Sequence, residues 1–192
     1  MVSVLIQFLK SLYAQLQQNR IAFFFLKSVV VFVILKYSFL AFIGAMDVGG
    51  LLYFPILEKY DIIQVVRYSY INPTNWIVRS LGYPSYAYKL GVTILGPGGV
   101  QINNSCLAIE TMIVFFTLIS CYPSTRNKLV HLLIGLSCIY LLNLLRIVIV
   151  CISTTHSIRV ADLNHTIFNL VVYAFIIIYF FFWSKEKAVA LH

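Results

Sequence analysis

Leu129-Val130-His131-Leu132-Leu133-Ile134-Gly135-Leu136-Ser137-Cys138-Ile139-Tyr140-Leu141-Leu142-Asn143-Leu144-Leu145-Arg146-Ile147-Val148-Ile149-Val150-Cys151-Ile152 is the stretch that decides the fold. It is almost wholly apolar, and a bilayer core about 30 Å thick needs only about 20 such residues in a helix. Residues 129–152 therefore read as a membrane span, and residues 22–45, 106–122 and 166–183 read the same way. The composition agrees, with 61% hydrophobic and 10% charged residues in a chain of 192 and a mean hydropathy of +0.91. Soluble domains carry about 25% charged residues. The expectation is an all-α integral membrane protein of one domain, residues 1–192. About four transmembrane helices form its bundle, with interfacial helices and a small extracytoplasmic hairpin or loop.

Between the spans the pattern changes. In residues 1–20, Leu5, Phe8, Leu9, Leu12 and Leu16 recur at helical spacing among Gln, Ser and Lys, which predicts an amphipathic helix lying in the interface. Residues 46–105 form an extracytoplasmic or interfacial segment. Its part 50–83 mixes apolar residues with Glu58, Lys59, Asp61, Arg67 and Arg79 and predicts one or two interfacial helices. Tyr88 to Leu95 and Val100 to Ile102 flank Gly96-Pro97-Gly98-Gly99, a pattern for a hairpin or tight loop. Lys10, Arg20, Arg126, Lys128, Lys185 and Lys187 fall on one side of a four-span arrangement. The bias of short loops towards cytoplasmic cations makes that side the cytoplasm.

The net charge of +8 comes from cations that flank apolar segments, not from a basic stripe, so no nucleic-acid partner is expected and membrane lipid is. No removable signal peptide is read at the N-terminus. Cys106, Cys121, Cys138 and Cys151 contain no CxxC pair, and His156, His165 and Cys151 match no ligand spacing. Neither a metal nor another cofactor is expected.

Three reactive side chains converge on the extracytoplasmic face. Cys106 opens the second span after Asn103-Asn104-Ser105, a natural cap, and free amides at a helix N-terminus suit an anionic sulfur. Arg146 lies about 9 Å below the outer end of the third span. His165 opens the fourth. An isolated Cys in an apolar helix is more often an inert small hydrophobe, the reading given to Cys121 and Cys138. Cys151 at the outer boundary offers a rival, a Cys106–Cys151 disulfide. An intramembrane Arg is functional or paired by default. Glu110, on the face of Cys106 and about 6 Å deeper, is positioned to pair with Arg146 or with Lys36 as a supporting ion pair. His165 would serve as general base and acid, with His156 beside Arg159 as the other candidate. Together they describe a thiol attacking a peptide carbonyl, with Arg146 stabilising the oxyanion.

These segments resemble the exosortase/archaeosortase family of membrane cysteine transpeptidases. The resemblance rests on Asn104-Ser105-Cys106-Leu107-Ala108-Ile109-Glu110, on Asn143-Leu144-Leu145-Arg146-Ile147, and on Asn164-His165 before Thr166-Ile167-Phe168-Asn169, in that order. Leu81-Gly82-Tyr83 and the Gly-rich stretch before the Cys fit as well, so it covers roughly residues 50–183. The sequence departs from the family pattern in having Ala108 and Asn169 where Gly is common, and in having fewer spans than many members. The resemblance implies Cys106 as nucleophile, Arg146 as oxyanion stabiliser and His165 as base, with Asn143 in support. It implies cleavage of exported proteins that end in a short motif, a transmembrane helix and a basic tail. The new C-terminus would pass to an acceptor such as a lipid or glycolipid, at the outer face of a bacterial inner (cytoplasmic) membrane. The competing reading is a non-catalytic assembly or transport component in which Arg146, Glu110 and Lys36 form a structural ion network.

Overall fold

Three helical segments of the computed structural model are long and apolar enough to cross a membrane: Ile21–Ala45, Lys128–Ser153 and Ile167–Lys185. The structure describes residues 20–46, 61–96, 98–123, 127–155 and 158–185, except the side chains of Arg20, Met46 and residues 158–166. The amphipathic helix expected over 1–20 lies outside the described residues, apart from Arg20 at the start of α1. The described elements are α1 (Arg20–Met46), α2 (Ile62–Ser80), β1 (Ser85–Tyr88), β2 (Gly91–Ile94) and β3 (Gly98–Gln101). A 3-10 helix (Asn104–Leu107), α3 (Ile109–Cys121), α4 (Lys128–Ser153) and α5 (Ile158–Lys185) follow. The protein is an all-α multi-pass membrane protein in its spanning part.

Among the described residues the expected count of four spans becomes three and a shorter apolar helix. Residues 106–122 do not form one continuous helix, because Ala108 adopts a left-handed conformation with φ 54° between the 3-10 helix and α3. That conformation interrupts the α-helical hydrogen-bond ladder. The remaining 13 residues of α3 reach about 20 Å at 1.5 Å per residue. The fourth segment differs in the opposite sense, since α5 begins at Ile158 and not at residue 166. No Gly or Pro occurs from Thr154 to Lys185 to stop a helix. Most of the expected loop 153–165 thus belongs to α5.

The segment before the Cys is more ordered than a hairpin. Asp61 caps α2 by accepting from the Gln64 amide at 3.0 Å. Pro73 sits inside α2; lacking an N–H, it frees the carbonyl of Ser69 one turn back. The Tyr140 hydroxyl of α4 donates to that carbonyl at 2.6 Å. The proline thereby becomes a docking point between α2 and α4. The expected hairpin is β2–β3, and β1 adds a strand that the sequence reading missed, giving an antiparallel sheet in the order β1-β2-β3. Gly91 is required there, because a Cβ would sit 2.0 Å from the Val100 carbonyl oxygen. Thr154, just past α4, accepts from the Gly99 amide at 2.9 Å and so ties the sheet to the end of α4.

Two cores result. One joins α2, the sheet and the last third of α4 through Tyr70, Ile71, Val78, Val92, Ile147 and Val148. The other joins α3, α4 and α5 through Phe115, Ile119, Ile139, Val172, Ile176 and Trp183. The reactive residues lie between them.

Candidate active site

Arg146 is eight residues from the C-terminal end of α4, counting both ends, and His165 is the eighth residue of α5. The two helices pack closely and follow one another in the chain, α4 ending at Ser153 and α5 beginning at Ile158, so these positions stand at similar depth. His165 does not open its helix as expected, since α5 starts two turns earlier. Its side chain, and His156 entirely, lie outside the described residues.

Cys106 sits in the 3-10 helix ahead of α3 and is half-buried against the first core. Its amide donates to the Asn103 carbonyl at 2.9 Å. Asn103 itself makes no side-chain capping bond, so the cap expected from Asn103-Asn104-Ser105 is a backbone turn. The amide group of Asn143 on α4 donates to the Cys106 carbonyl at 2.7 Å. The Oδ1 of the same Asn143 accepts from Arg146 Nη1 at 3.4 Å. Asn143 and Arg146 are one helical turn apart on the same face of α4, which is why an Asn three residues before an Arg can bridge the two groups. Arg146 is 6% exposed, Asn143 1%, and the guanidinium lies within electrostatic reach of the Cys106 sulfur.

Glu110 pairs with Lys36 of α1, not with Arg146. The left-handed Ala108 breaks the helical relation between Cys106 and Glu110 that placed them on one face. Among the described residues Arg146 has no carboxylate partner. The Cys106–Cys151 disulfide is not formed, for all four cysteines are free. Cys151 lies eight residues, about 12 Å, beyond the Asn143 that holds the Cys106 turn. Bridged cysteines need Cα atoms within about 7 Å.

A cavity of about 380 Å³ opens beside the turn, between α1, α3, α4 and α5. Arg146, Lys36, Glu110, Ala108, Asn169 and Tyr173 contribute to its wall. Asn169, one of the departures from the family pattern, thus shares a cavity with Arg146. The cavity thus brings Arg146, Lys36 and Glu110 to one largely apolar hollow between the helices.

Two contributors were not legible in the sequence as site residues. Tyr70 of α2 donates its hydroxyl to the Leu107 carbonyl at 3.2 Å. Arg67 Nη2 donates to Asn104 Oδ1 at 2.9 Å. Arg67 had appeared only as one charge in an interfacial segment, and only the buried stripe of Ile63, Tyr70, Ile71 and Val78 could have marked the inward face.

The profile of the transmembrane exosortase family matches residues 2–182. Comparisons with curated proteins and with solved structures return no match. The match runs from the first helix to the last and includes the Cys106 turn, the Asn143–Arg146 turn and the α4–α5 hairpin, so the chain belongs to the transmembrane exosortase family.

Proposed function

We propose that this protein is a membrane-embedded cysteine protease/transpeptidase acting on exported proteins that carry a C-terminal sorting signal. Membership of the family supports a protease or transpeptidase role in general. The observation that carries the specific reading is the Asn143 bridge, which holds the Cys106 carbonyl at 2.7 Å and contacts Arg146. One residue thus links the turn that carries the thiol to a guanidinium that has no carboxylate partner among the described residues and that lines the cavity.

In this mechanism the Cys106 sulfur, its proton taken by His165, attacks the scissile carbonyl carbon. Arg146 donates hydrogen bonds to the oxyanion of the tetrahedral intermediate. Collapse breaks the C–N bond, and His165 returns the proton to the leaving amine. The thioester on Cys106 then passes its acyl group to an acceptor nucleophile, which regenerates the thiol. The site would face the extracytoplasmic side of a bacterial inner membrane, where the tail of an exported protein halts.

The test is co-expression with exported proteins that end in a transmembrane helix and a basic tail, following loss of the tail by gel shift. Cys106→Ala should abolish cleavage, by at least about a thousandfold as expected when a covalent nucleophile is removed. Cys138→Ala should leave it intact. Cleavage that persists in Cys106→Ala would remove the reading.

A further inference from the structure

The Cys106 turn is poorly held by its own backbone. Four residues of 3-10 helix end at a non-glycine residue in the left-handed region, Ala108 with φ 54°, a conformation that crowds the Cβ against the following carbonyl oxygen. Such geometry persists only where its surroundings hold it. Three side chains from outside the turn do so, and two come from α2. Asn143 of α4 takes the Cys106 carbonyl at 2.7 Å. Tyr70 takes the next carbonyl, that of the fully buried Leu107, at 3.2 Å. Arg67 takes the side chain of Asn104, two residues before the Cys, at 2.9 Å.

Both α2 residues are anchored in turn. Arg67 Nη1 donates to Gln64 Oε1, and Gln64 Nε2 donates to the Lys89 carbonyl in the β1–β2 turn. The Tyr70 ring, 1% exposed, packs on Tyr140 with centroids 4.8 Å apart. The fork of Arg67 thus links the sheet, α2 and the start of the Cys turn in one chain of hydrogen bonds, and a single-point ammonium cannot reproduce that bridge.

We propose that Arg67 and Tyr70 are positioning residues, which clamp the Cys106 turn together with Asn143 and so fix the sulfur relative to Arg146. Neither touches the reacting atoms. This inference rests on Cys106 being the nucleophile, and it gives α2, otherwise an interfacial helix, a part in the chemistry. Losing either contact lets the turn relax its strained residue and carries the sulfur away from the guanidinium.

The experiment uses the full chain in phosphatidylcholine vesicles and reads alkylation of Cys106 by mass spectrometry. The quantity is the ratio of its rates with anionic iodoacetate and neutral iodoacetamide. A guanidinium near the sulfur favours the anionic reagent, and Arg146→Gln sets the floor of the ratio. Tyr70→Phe changes no charge, and Arg67→Lys keeps the charge while losing the fork. In both, the ratio should fall about threefold towards the floor, the scale of a unit charge moved away in a partly screened site. Exposed Tyr86→Phe should match wild type. Should Tyr70→Phe fail to fold, Arg67→Lys carries the test alone. A wild-type ratio retained in folded variants overturns the positioning role and leaves the nucleophile reading standing. A wild-type Cys106 that does not react removes both.

Discussion

At the residue scale the site is a set of pairings between distant parts of the chain. The Asn143–Arg146 spacing was legible because both lie on one helix, where a three-residue interval means one face. The Tyr70–Leu107 and Arg67–Asn104 bonds, each spanning 37 positions, have no local signature at all. Sequence reading could propose Cys106 and Arg146, but not what holds the Cys106 turn in place. Tyr70 also makes the clamp sensitive to alkali. Burial pushes its phenol from 10.0 up to about 12. The folded protein then keeps a proton that the unfolded chain has released, so stability is intact below pH 10 and lost as pH rises towards 12. Thermal melts of wild type across that window should fall by about 1.4 kcal/mol per pH unit more than those of Tyr70→Phe. Parallel curves for the two would show that the phenol is not shielded.

At the element scale, apolarity located the spans well and their ends poorly. The last helix was expected from residue 166 because Arg159, Asp162, Asn164 and His165 make its first two turns polar, and hydropathy cannot tell a polar helical turn from a loop. The second span failed for the reverse reason. Cys106 to Tyr122 is apolar enough to cross, yet the backbone at Ala108 turns left-handed, which composition does not report. The β2–β3 hairpin was announced by its glycines, whereas β1, with Ser85-Tyr86-Ala87-Tyr88, carried no turn signal of that strength. The α3–α4 contact offers a direct test of element packing. A Cβ on Gly135 would lie 2.0 Å from the Phe115 ring, and Phe115 is fully buried. Gly135→Ala should therefore destabilise the protein by about 1–3 kcal/mol, the usual cost of overpacking. Phe115→Leu in the same chain should restore part of the loss. An unshifted melting curve in Gly135→Ala would mean that the two helices are free to move apart.

At the scale of the whole molecule, the helices converge at one end and part at the other. Phe24 of α1 stacks on Phe180 of α5 at 5.9 Å, with Tyr122 and Trp183 against them. Towards the sheet end, residues of α1 and α5 instead face one another across the cavity beside Arg146. The 26 residues of α4 measure about 39 Å, against about 20 Å for α3. The shorter helix ends beside the foot of the longer one, where Lys128 donates to the Ser120 carbonyl, so its first residue, Ile109, halts well short of the level of the sheet. Cys106, held at the level of Asn143, stands about 16 Å along α4 below Thr154, where the sheet is tied. Lipid length should therefore set access to Cys106, since a thicker bilayer would bury that level more deeply and a thinner one would let water down to the sulfur. A charged, membrane-impermeant maleimide should modify Cys106 faster in vesicles of short-tailed phosphatidylcholine than in long-tailed ones, and equal rates would mean that the turn rides at the surface. On the proposed function, a tail helix cut to the host membrane's thickness would present its scissile bond at the depth of the sulfur, and one of another length would present it too high or too low.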